Sequence, residues 1–411
     1  MIPEYYHNLS SITKQKNIIP NFKYYWKILL LIGIFYGIPA VQYVLYQVEF
    51  NSSLGYNDLV NKCYFNFKCN HKVGPLWAFN NVISNIGYII YGLLYIGIVY
   101  FSKTVEINGL IQNKHLYYAL GLSLFFEGIF SSAYHVCPNA LNFQFDTTFM
   151  FIGSIMMFIT ILQKKKTYKI IGIFKAYTIM ALCNIFNVIE LSKYLSWYGF
   201  WYMVVILYIL ISGYLCLKLY HSVQNESTYM DKNIFSIIRN ISYEVLSCKV
   251  KIKQKIYFAY LSTLNIISIA ILILSILFEL HFFTFVLSVF FINIFIVMLN
   301  YMIIKIKRKE KIELKTWAFF ILSLCCNTAA IYYFEQPSTD KFLTPQESLL
   351  LNSDCILWNY FDTHDIWHML SATGIFFLLL SIWYIDNNIN FIHSFFDSHM
   401  KNSELSNVEN I

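Results

Sequence analysis

The sequence predicts an all-α membrane protein, a polytopic bundle of about ten transmembrane helices, and three observations predict it. Of the 411 residues, 57% are hydrophobic and 13% charged, with a mean hydropathy of +0.52; a soluble globular chain carries about 25% charged residues. Ten mainly apolar stretches reach the roughly 20 residues that a helix needs to cross a hydrocarbon core. The basic residues fall on alternate loops. Little of the chain is left for a soluble domain, so the main body is read as one transmembrane domain over 26–385.

The first twenty residues are polar and lack the apolar core of a secretory leader. Residues 1–25 are therefore read as a short amino-terminal segment and the first stretch, 26–48, as an uncleaved signal anchor. It contains Gly33-Ile34-Phe35-Tyr36-Gly37, whose small residues four apart suit close helix packing. The second stretch, 77–101, opens in Ala78-Phe79-Asn80-Asn81, the third, 116–135, closes on His135, and the fourth, 145–163, begins at Asp146 after a short connector. The fifth and sixth are 168–189 and 196–219. The sixth opens on Trp197-Tyr198-Gly199-Phe200-Trp201, a run that suits a headgroup anchor better than a base-stacking platform.

A longer loop, about 220–255, carries Ile234, Phe235, Ile237, Ile238, Ile241, Val245 and Leu246 among polar residues, which predicts an amphipathic helix on the membrane surface. The seventh and eighth stretches, 256–279 and 282–304, are divided only by Glu279-Leu280-His281. The ninth and tenth are 316–334 and 366–385, and a tail of 386–411 ends the chain. Lys164-Lys165-Lys166 and Lys305-Ile306-Lys307-Arg308-Lys309 read as helix-end anchors. No Walker loop, dinucleotide fingerprint or tandem repeat occurs.

With ten spans the loops alternate between two sides. The side holding both termini carries 24 Lys and Arg, the other side five, and Lys175 lies within a span. By the positive-inside rule both termini are expected in the cytosol; a plasma membrane and an endolysosomal membrane accommodate this equally. Cys63, Cys69, Cys137 and Cys355 then lie on the oxidising side and predict two disulfides, with three pairings open. Cys183, Cys216, Cys325 and Cys326 fall within spans as apolar packing residues, and Cys248 is a free thiol of a cytosolic loop. Asn51-Ser52-Ser53 is a glycosylation sequon close to the first span.

Ionisable groups inside a membrane are costly and mark interiors or wet cavities. His364 and His368, four residues apart, share one helix face at the non-cytosolic end of the tenth span. His135 closes the third span at that same end, Ser131 lies one turn deeper, about 6 Å along the axis, and Asp146 opens the fourth span. Three imidazoles with water or a carboxylate match an open, catalytic zinc site. Zinc there would lower the pKa of water to about 7, Asp146 would bind the metal or accept a proton, and Ser131 would donate to a developing oxyanion. Glu127, another turn down, is read as a structural hydrogen-bonding group, and Asp365 as a cap or orienting group for the tenth helix.

These residues resemble the systemic RNA interference defective (SID) family of transmembrane proteins, part of the CREST superfamily of membrane hydrolases and receptors. The resemblance is carried by Ala78-Phe79-Asn80-Asn81-Val82-Ile83-Ser84-Asn85-Ile86-Gly87-Tyr88, by Glu127 through Asn139, by Asn142-Phe143-Gln144-Phe145-Asp146-Thr147, by Asp354-Cys355-Ile356-Leu357 and by His364-Asp365-Ile366-Trp367-His368. It runs from about residue 25 to 386, with 165–315 matching mainly in hydropathy. It implies zinc-ligand roles for His135, His364 and His368, a direct or water-mediated role for Asp146, and a place for Ser131 in the same inner site. It also implies double-stranded RNA transport, lipid hydrolysis and contact with cholesterol. The chain is expected to lack the family's β-rich amino-terminal ectodomain and first span.

The favoured reading is a factor in double-stranded RNA transport that retains a zinc core; the alternatives are a zinc-dependent hydrolase of lipid amides or esters, and a lipid-regulated receptor or scaffold with structural zinc. The non-cytosolic loops hold five Lys against ten acidic residues, which opposes phosphate binding. An RNA role therefore calls for an ectodomain-bearing partner or a homo-oligomer to supply basic surface.

Overall fold

Nearly all the regular structure is helical, as the apolar stretches require, because every backbone polar group in lipid must be paired within its own segment. The computed structural model describes residues 23–102, 106–107, 110–111, 114–164, 173–192, 195–224, 239, 252–307 and 309–386. In order these form α1 (Lys23–Ser53), α2 (Tyr56–Lys62), α3 (Phe79–Ile83), α4 (Ile86–Phe101), the two-residue antiparallel strands β1 (Glu106–Ile107) and β2 (Leu110–Ile111), α5 (Lys114–Tyr134), α6 (Gln144–Lys164) and α7 (Ile173–Leu191). There follow α8 (Trp197–Gln224), α9 (Ile252–Leu277), α10 (Phe282–Lys307), α11 (Leu314–Phe334), α12 (Pro345–Leu350) and α13 (Thr363–Tyr384).

Eight helical segments among the described residues are long and apolar enough to cross a membrane, and shorter apolar stretches lie in α8 (Trp197–Gly213) and α9 (Ser262–Leu277). Each of the ten expected spans thus coincides, over its described residues, with a helical segment. The expected surface helix within 220–255, apart from the ends of α8 and α9 and residue 239, lies outside the described residues, as do residues 1–22, Lys165, Lys166, Cys248 and the tail from 387. The second span is interrupted between α3 and α4. There Ser84 Oγ and Asn85 Nδ2 both donate to the Asn81 carbonyl, at 2.8 and 3.0 Å, and such local side-chain bonds compete with the helix ladder.

The chain divides into two compact units. The first comprises Met1–Thr160, Ile170–Met180 and Met298–Ile411; the second comprises Ile161–Lys169 and Ala181–Val297. In the first unit α5 is buried along most of its length, and small residues let its neighbours approach. A Cβ on Gly92 of α4 would lie 2.6 Å from the Phe125 nitrogen and 2.8 Å from the Gly121 carbonyl, so only glycine permits this contact. Gly33 of α1 lies beneath the Phe126 ring of α5, which gives the small-residue motif of the first span its partner. Phe126, Phe130 and Phe149 stack between α5 and α6.

On the opposite face of α1, Leu31, Ile34, Phe35, Ile38, Val41 and Leu45 are exposed. A stripe of this kind would be an association site in water and is the ordinary lipid-facing surface of a span. Helix α13 packs on α11 through Phe319 and Phe377 and through a Ser381 hydroxyl donating to the Thr316 carbonyl at 3.1 Å. The buried Lys305 amine near the end of α10 is paired with Asp386 at 3.0 Å and Glu310 at 3.2 Å, which offsets the cost of burying its charge.

In the second unit α9 ends where Glu279 turns left-handed (φ 53°) and Leu280 N–H reaches back to the Ser275 carbonyl at 2.8 Å, a C-terminal capping geometry. Glu190 then accepts the Phe282 N–H at 2.9 and 3.0 Å, capping the start of α10. The short break expected at 279–281 is therefore a built turn.

The segments preceding α3 and α13 form a small covalently tied cap on the first unit. Of the three pairings left open by the sequence, the chain uses Cys63–Cys137 and Cys69–Cys355. Leu59, Cys63, Phe65, Ala78 and Cys137 make its apolar centre. Asn51 is buried, with its amide donating to the Val136 carbonyl at 3.3 Å, so the sequon asparagine is engaged internally. Cys183, Cys325 and Cys326 are free thiols on helices.

Candidate metal centre

His135 prolongs α5 by one residue, its N–H bonding the Ser131 carbonyl at 3.1 Å. His364 and His368 sit one turn apart at the start of α13, where the i, i+4 spacing sets both rings on one face. The three rings meet through the same atom. His135 Nε2 lies 3.1 Å from His368 Nε2 and 3.4 Å from His364 Nε2, and the latter two are 3.0 Å apart. His135 and His368 are buried and His364 is half-buried.

This triangle cannot be satisfied by hydrogen bonds alone. A ring nitrogen carries either a proton or a lone pair, so among three nitrogens in mutual contact at most two contacts pair donor with acceptor. The third sets like against like. Three lone pairs aimed at a common centre are what a divalent ion accepts, and tetrahedral zinc at 2.0–2.1 Å from each nitrogen spaces two ligand nitrogens by about 3.3–3.4 Å. The donor set fits zinc, and the triangle, with sides of 3.0, 3.1 and 3.4 Å, lies at or a few tenths of an ångström inside that spacing.

Asp146, in the first turn of α6, is buried and accepts a hydrogen bond from the Ser131 hydroxyl through Oδ1. It does not belong to the set of donor atoms lying within 4.8 Å of one another, which holds the three histidines alone. The five residues expected from sequence are thus brought together as a trio and an adjoining pair, joined by α5, which carries both Ser131 and His135. Glu127 is buried a further turn along α5, with Oε2 unbonded. Tyr88 closes the floor, its ring 6.0 Å from that of His368 and its hydroxyl 2.5 Å from Ser371 Oγ.

The start of α13 is fixed by a buried polar network. Asp362 is the N-cap, its Oδ1 accepting the Asp365 N–H at 3.0 Å, while Asp365 Oδ2 accepts the Asp362 N–H at 3.2 Å. This reciprocal capping box supports the orienting role expected of Asp365. Asp362 Oδ2 also accepts from Asn66 Nδ2 and Ser338 Oγ, both at 2.9 Å, and Asp365 Oδ2 accepts from Asn80 Nδ2 at 2.8 Å. Asp362, Asn66 and Asn80 were not singled out as site residues by the sequence reading, although Asp362-Thr363-His364-Asp365 has the spacing of a capping box. A second cluster, Cys69, His71 and Cys355, has its two sulfurs spent in a disulfide, with His71 Nε2 3.6 Å from Cys355 Sγ.

Residues 2–394 match the family model described as the dsRNA-gated channel SID-1. The chain belongs to the SID-1 family. Similar relatives are SID1 transmembrane family member 1 of Homo sapiens, 29% identical over 404 residues, and cholesterol uptake protein 1 of Caenorhabditis elegans, 32% identical over 385 residues. These alignments take in 93% and 89% of this SID chain but 48% and 49% of the relatives. The chain thus spans about half the length of the curated relatives it matches. Within the family, this SID protein is an integral multi-pass membrane protein.

Proposed function

We propose that this SID protein is a zinc-dependent hydrolase of lipid amides or esters, with both termini in the cytosol and the histidine trio at the opposite edge of the bilayer. The observation that carries this reading is the triangle of Nε2 atoms, 3.0–3.4 Å on each side, which hydrogen bonding cannot satisfy. Zinc held by His135, His364 and His368 would supply Lewis acidity toward an acyl carbonyl and a water of pKa about 7. The rest of the chemistry belongs to the chain. Ser131 fixes one oxygen of the Asp146 carboxylate, leaving the other to take a proton from water and return it to the departing amine or alkoxide.

Asp146→Asn preserves the shape of this group and removes its basicity. Hydrolysis of short-chain ceramide and phospholipid by purified protein, followed by mass spectrometry, is expected to fall about 10²- to 10⁴-fold. Equal product from variant and wild type would reject Asp146 as the base.

A second reading, double-stranded RNA transport, is favoured by the description of the family model. It predicts uptake of double-stranded RNA into liposomes carrying the purified chain. Uptake no greater than into empty vesicles would count against it and would leave RNA binding to a partner bearing an ectodomain or to a homo-oligomer. Membrane lipid, cholesterol included, is proposed to occupy the apolar groove of about 380 Å³ along Leu31, Ile32, Phe35, Tyr36 and Pro39. The name of the nematode relative, cholesterol uptake protein 1, supports that choice.

A further inference from the structure

The disulfide-tied cap carries a second group of metal-ligand atoms, built from different residues than the histidine trio. The sulfurs of Cys69 and Cys355 and a ring nitrogen of His71 all lie within 4.8 Å of one another, and His71 Nε2 stands 3.6 Å from Cys355 Sγ. Tetrahedral zinc, at about 2.0–2.1 Å from a nitrogen and about 2.3 Å from a sulfur, separates two such ligands by about 3.5–3.6 Å. His71 and Cys355 thus already stand at ligand spacing. What they lack is a thiolate, the form of cysteine that binds metal, because both sulfurs are spent in the bond between them.

The backbone around these three side chains is held by hydrogen bonds that do not involve the sulfurs. Cys69 N–H donates to the Asn66 carbonyl at 3.1 Å, and the Cys69 carbonyl accepts from Asn80 Nδ2 at 3.0 Å. His71 N–H donates to Asn80 Oδ1 at 3.0 Å, and the His71 carbonyl accepts the Phe79 N–H at 2.9 Å. The residue after Cys355 is pinned through Ile356 N–H to the Phe361 carbonyl at 2.8 Å. The His71 ring stacks on Tyr360, centroids 4.3 Å apart and planes 14° from parallel. Cys355 and His71 are only half-buried, so a reductant and an ion have a way in. The other disulfide is a natural contrast. Cys63 and Cys137 are both buried in an apolar cluster, and among the described residues no histidine or carboxylate joins them in a ligand group.

We propose that Cys69, His71 and Cys355 form a second metal site, closed in the oxidised protein and opened to zinc or a similar divalent ion when a dithiol reduces the Cys69–Cys355 bond. The dithiol gives up two electrons and two protons and becomes a disulfide, while Cys69 and Cys355 become thiols. The ion then binds both as thiolates, releasing the two protons to water, and takes the His71 imidazole as third ligand. Two thiolates and an imidazole are a donor set suited to zinc. The sulfurs must move apart to about 3.8 Å, the spacing of two thiolates on one tetrahedral zinc, which rotation of the two side chains supplies.

Cobalt(II) distinguishes this site from the trio, because a thiolate-to-cobalt charge-transfer band needs a sulfur ligand and the trio has none. The experiment titrates cobalt(II) into the full chain in detergent, before and after a phosphine reductant, for wild type and His71→Phe. Phenylalanine keeps a ring to stack on Tyr360 and removes the nitrogen. Alkylation and peptide mass mapping identify the freed thiols, and circular dichroism follows helical content. Reduced wild type is expected to keep its helices and gain the band, zinc to bleach it, and oxidised protein to show none. His71→Phe should free the same thiols and bind cobalt(II) at least about tenfold more weakly, as loss of a ligand must cost at least what disturbing its surroundings does. Equal affinity in the two proteins overturns the proposal, as do freed Cys69 and Cys355 thiols without the band. A Cys69–Cys355 bond that resists the phosphine in folded protein, or helices lost on its reduction, overturns it as well.

Discussion

Replacing His364 and His368 together by alanine is expected to reduce bound zinc from near one per chain to background, measured by elemental mass spectrometry on detergent-purified protein. Two of the three nitrogens of the triangle disappear, and a single imidazole does not retain zinc against buffer. Both disulfides remain, and neither histidine takes part in the hydrogen bonds of the Asp362–Asp365 capping box, so the variant should keep its helical content. Zinc removal from the wild type gives an independent reading. Ligand saturated to 100 times its dissociation constant stabilises the folded state by about 2.7 kcal/mol, so chelation should lower the thermal midpoint of wild type and leave that of the double variant unchanged. A well-folded wild type that takes up no zinc on addition would remove the hydrolase reading.

Asp362→Ala is expected to be the most destabilising single change in the cap. The side chain is fully buried and accepts from Asn66, Ser338 and the Asp365 N–H. Alanine removes the acceptor shared by the Ser338 hydroxyl, the Asp365 N–H and one proton of the Asn66 amide, which keeps its bond to the Ser353 carbonyl, at about 1–3 kcal/mol each, the Asp365 bond being the N-cap bond itself. The donors will recover part of this by relaxing or admitting water, so a net loss of roughly 3–5 kcal/mol is expected. Denaturant unfolding in detergent measures it, with Leu350→Ala as a control because Leu350 is 84% exposed. A loss below about 1 kcal/mol would show that the network does not hold the start of α13. The same variant should weaken zinc binding, because His364 and His368 depend on that helix start.

The spans were legible because hydropathy reports a solvent requirement that each helix meets by itself. Each of the ten stretches holds a helix among the described residues, and even the three-residue break at Glu279-Leu280-His281 is real. The histidine trio was legible for a related reason: ionisable groups are rare in spans, so His135, His364 and His368 stood out, and topology alone put them at one end. What composition and periodicity do not carry is pairing between distant segments. Cys63 choosing Cys137 over Cys69 is settled by the packing of Leu59, Phe65 and Ala78 around it. Asn66 and Asn80 meet Asp362 and Asp365 across separations of 296 and 285 residues, and nothing local to either asparagine names its partner. Asp146 was visible as a buried carboxylate, but its hydrogen bond to Ser131 depends on the rotation of α5 against α6.

The Cys69–Cys355 disulfide joins residues 286 apart, and the span it encloses contains all of α7 to α11. The polypeptide between these two cysteines is therefore a closed loop. Cleavage of any one peptide bond between residues 138 and 354 opens the loop without dividing the molecule: the fragment bearing His135 stays joined to the fragment bearing His364 and His368. Inserted tags, processing cuts or circular rearrangements in that interval would leave the three imidazoles on a single covalent body, whereas a thiol reductant acting on the same nicked chain would let its halves part.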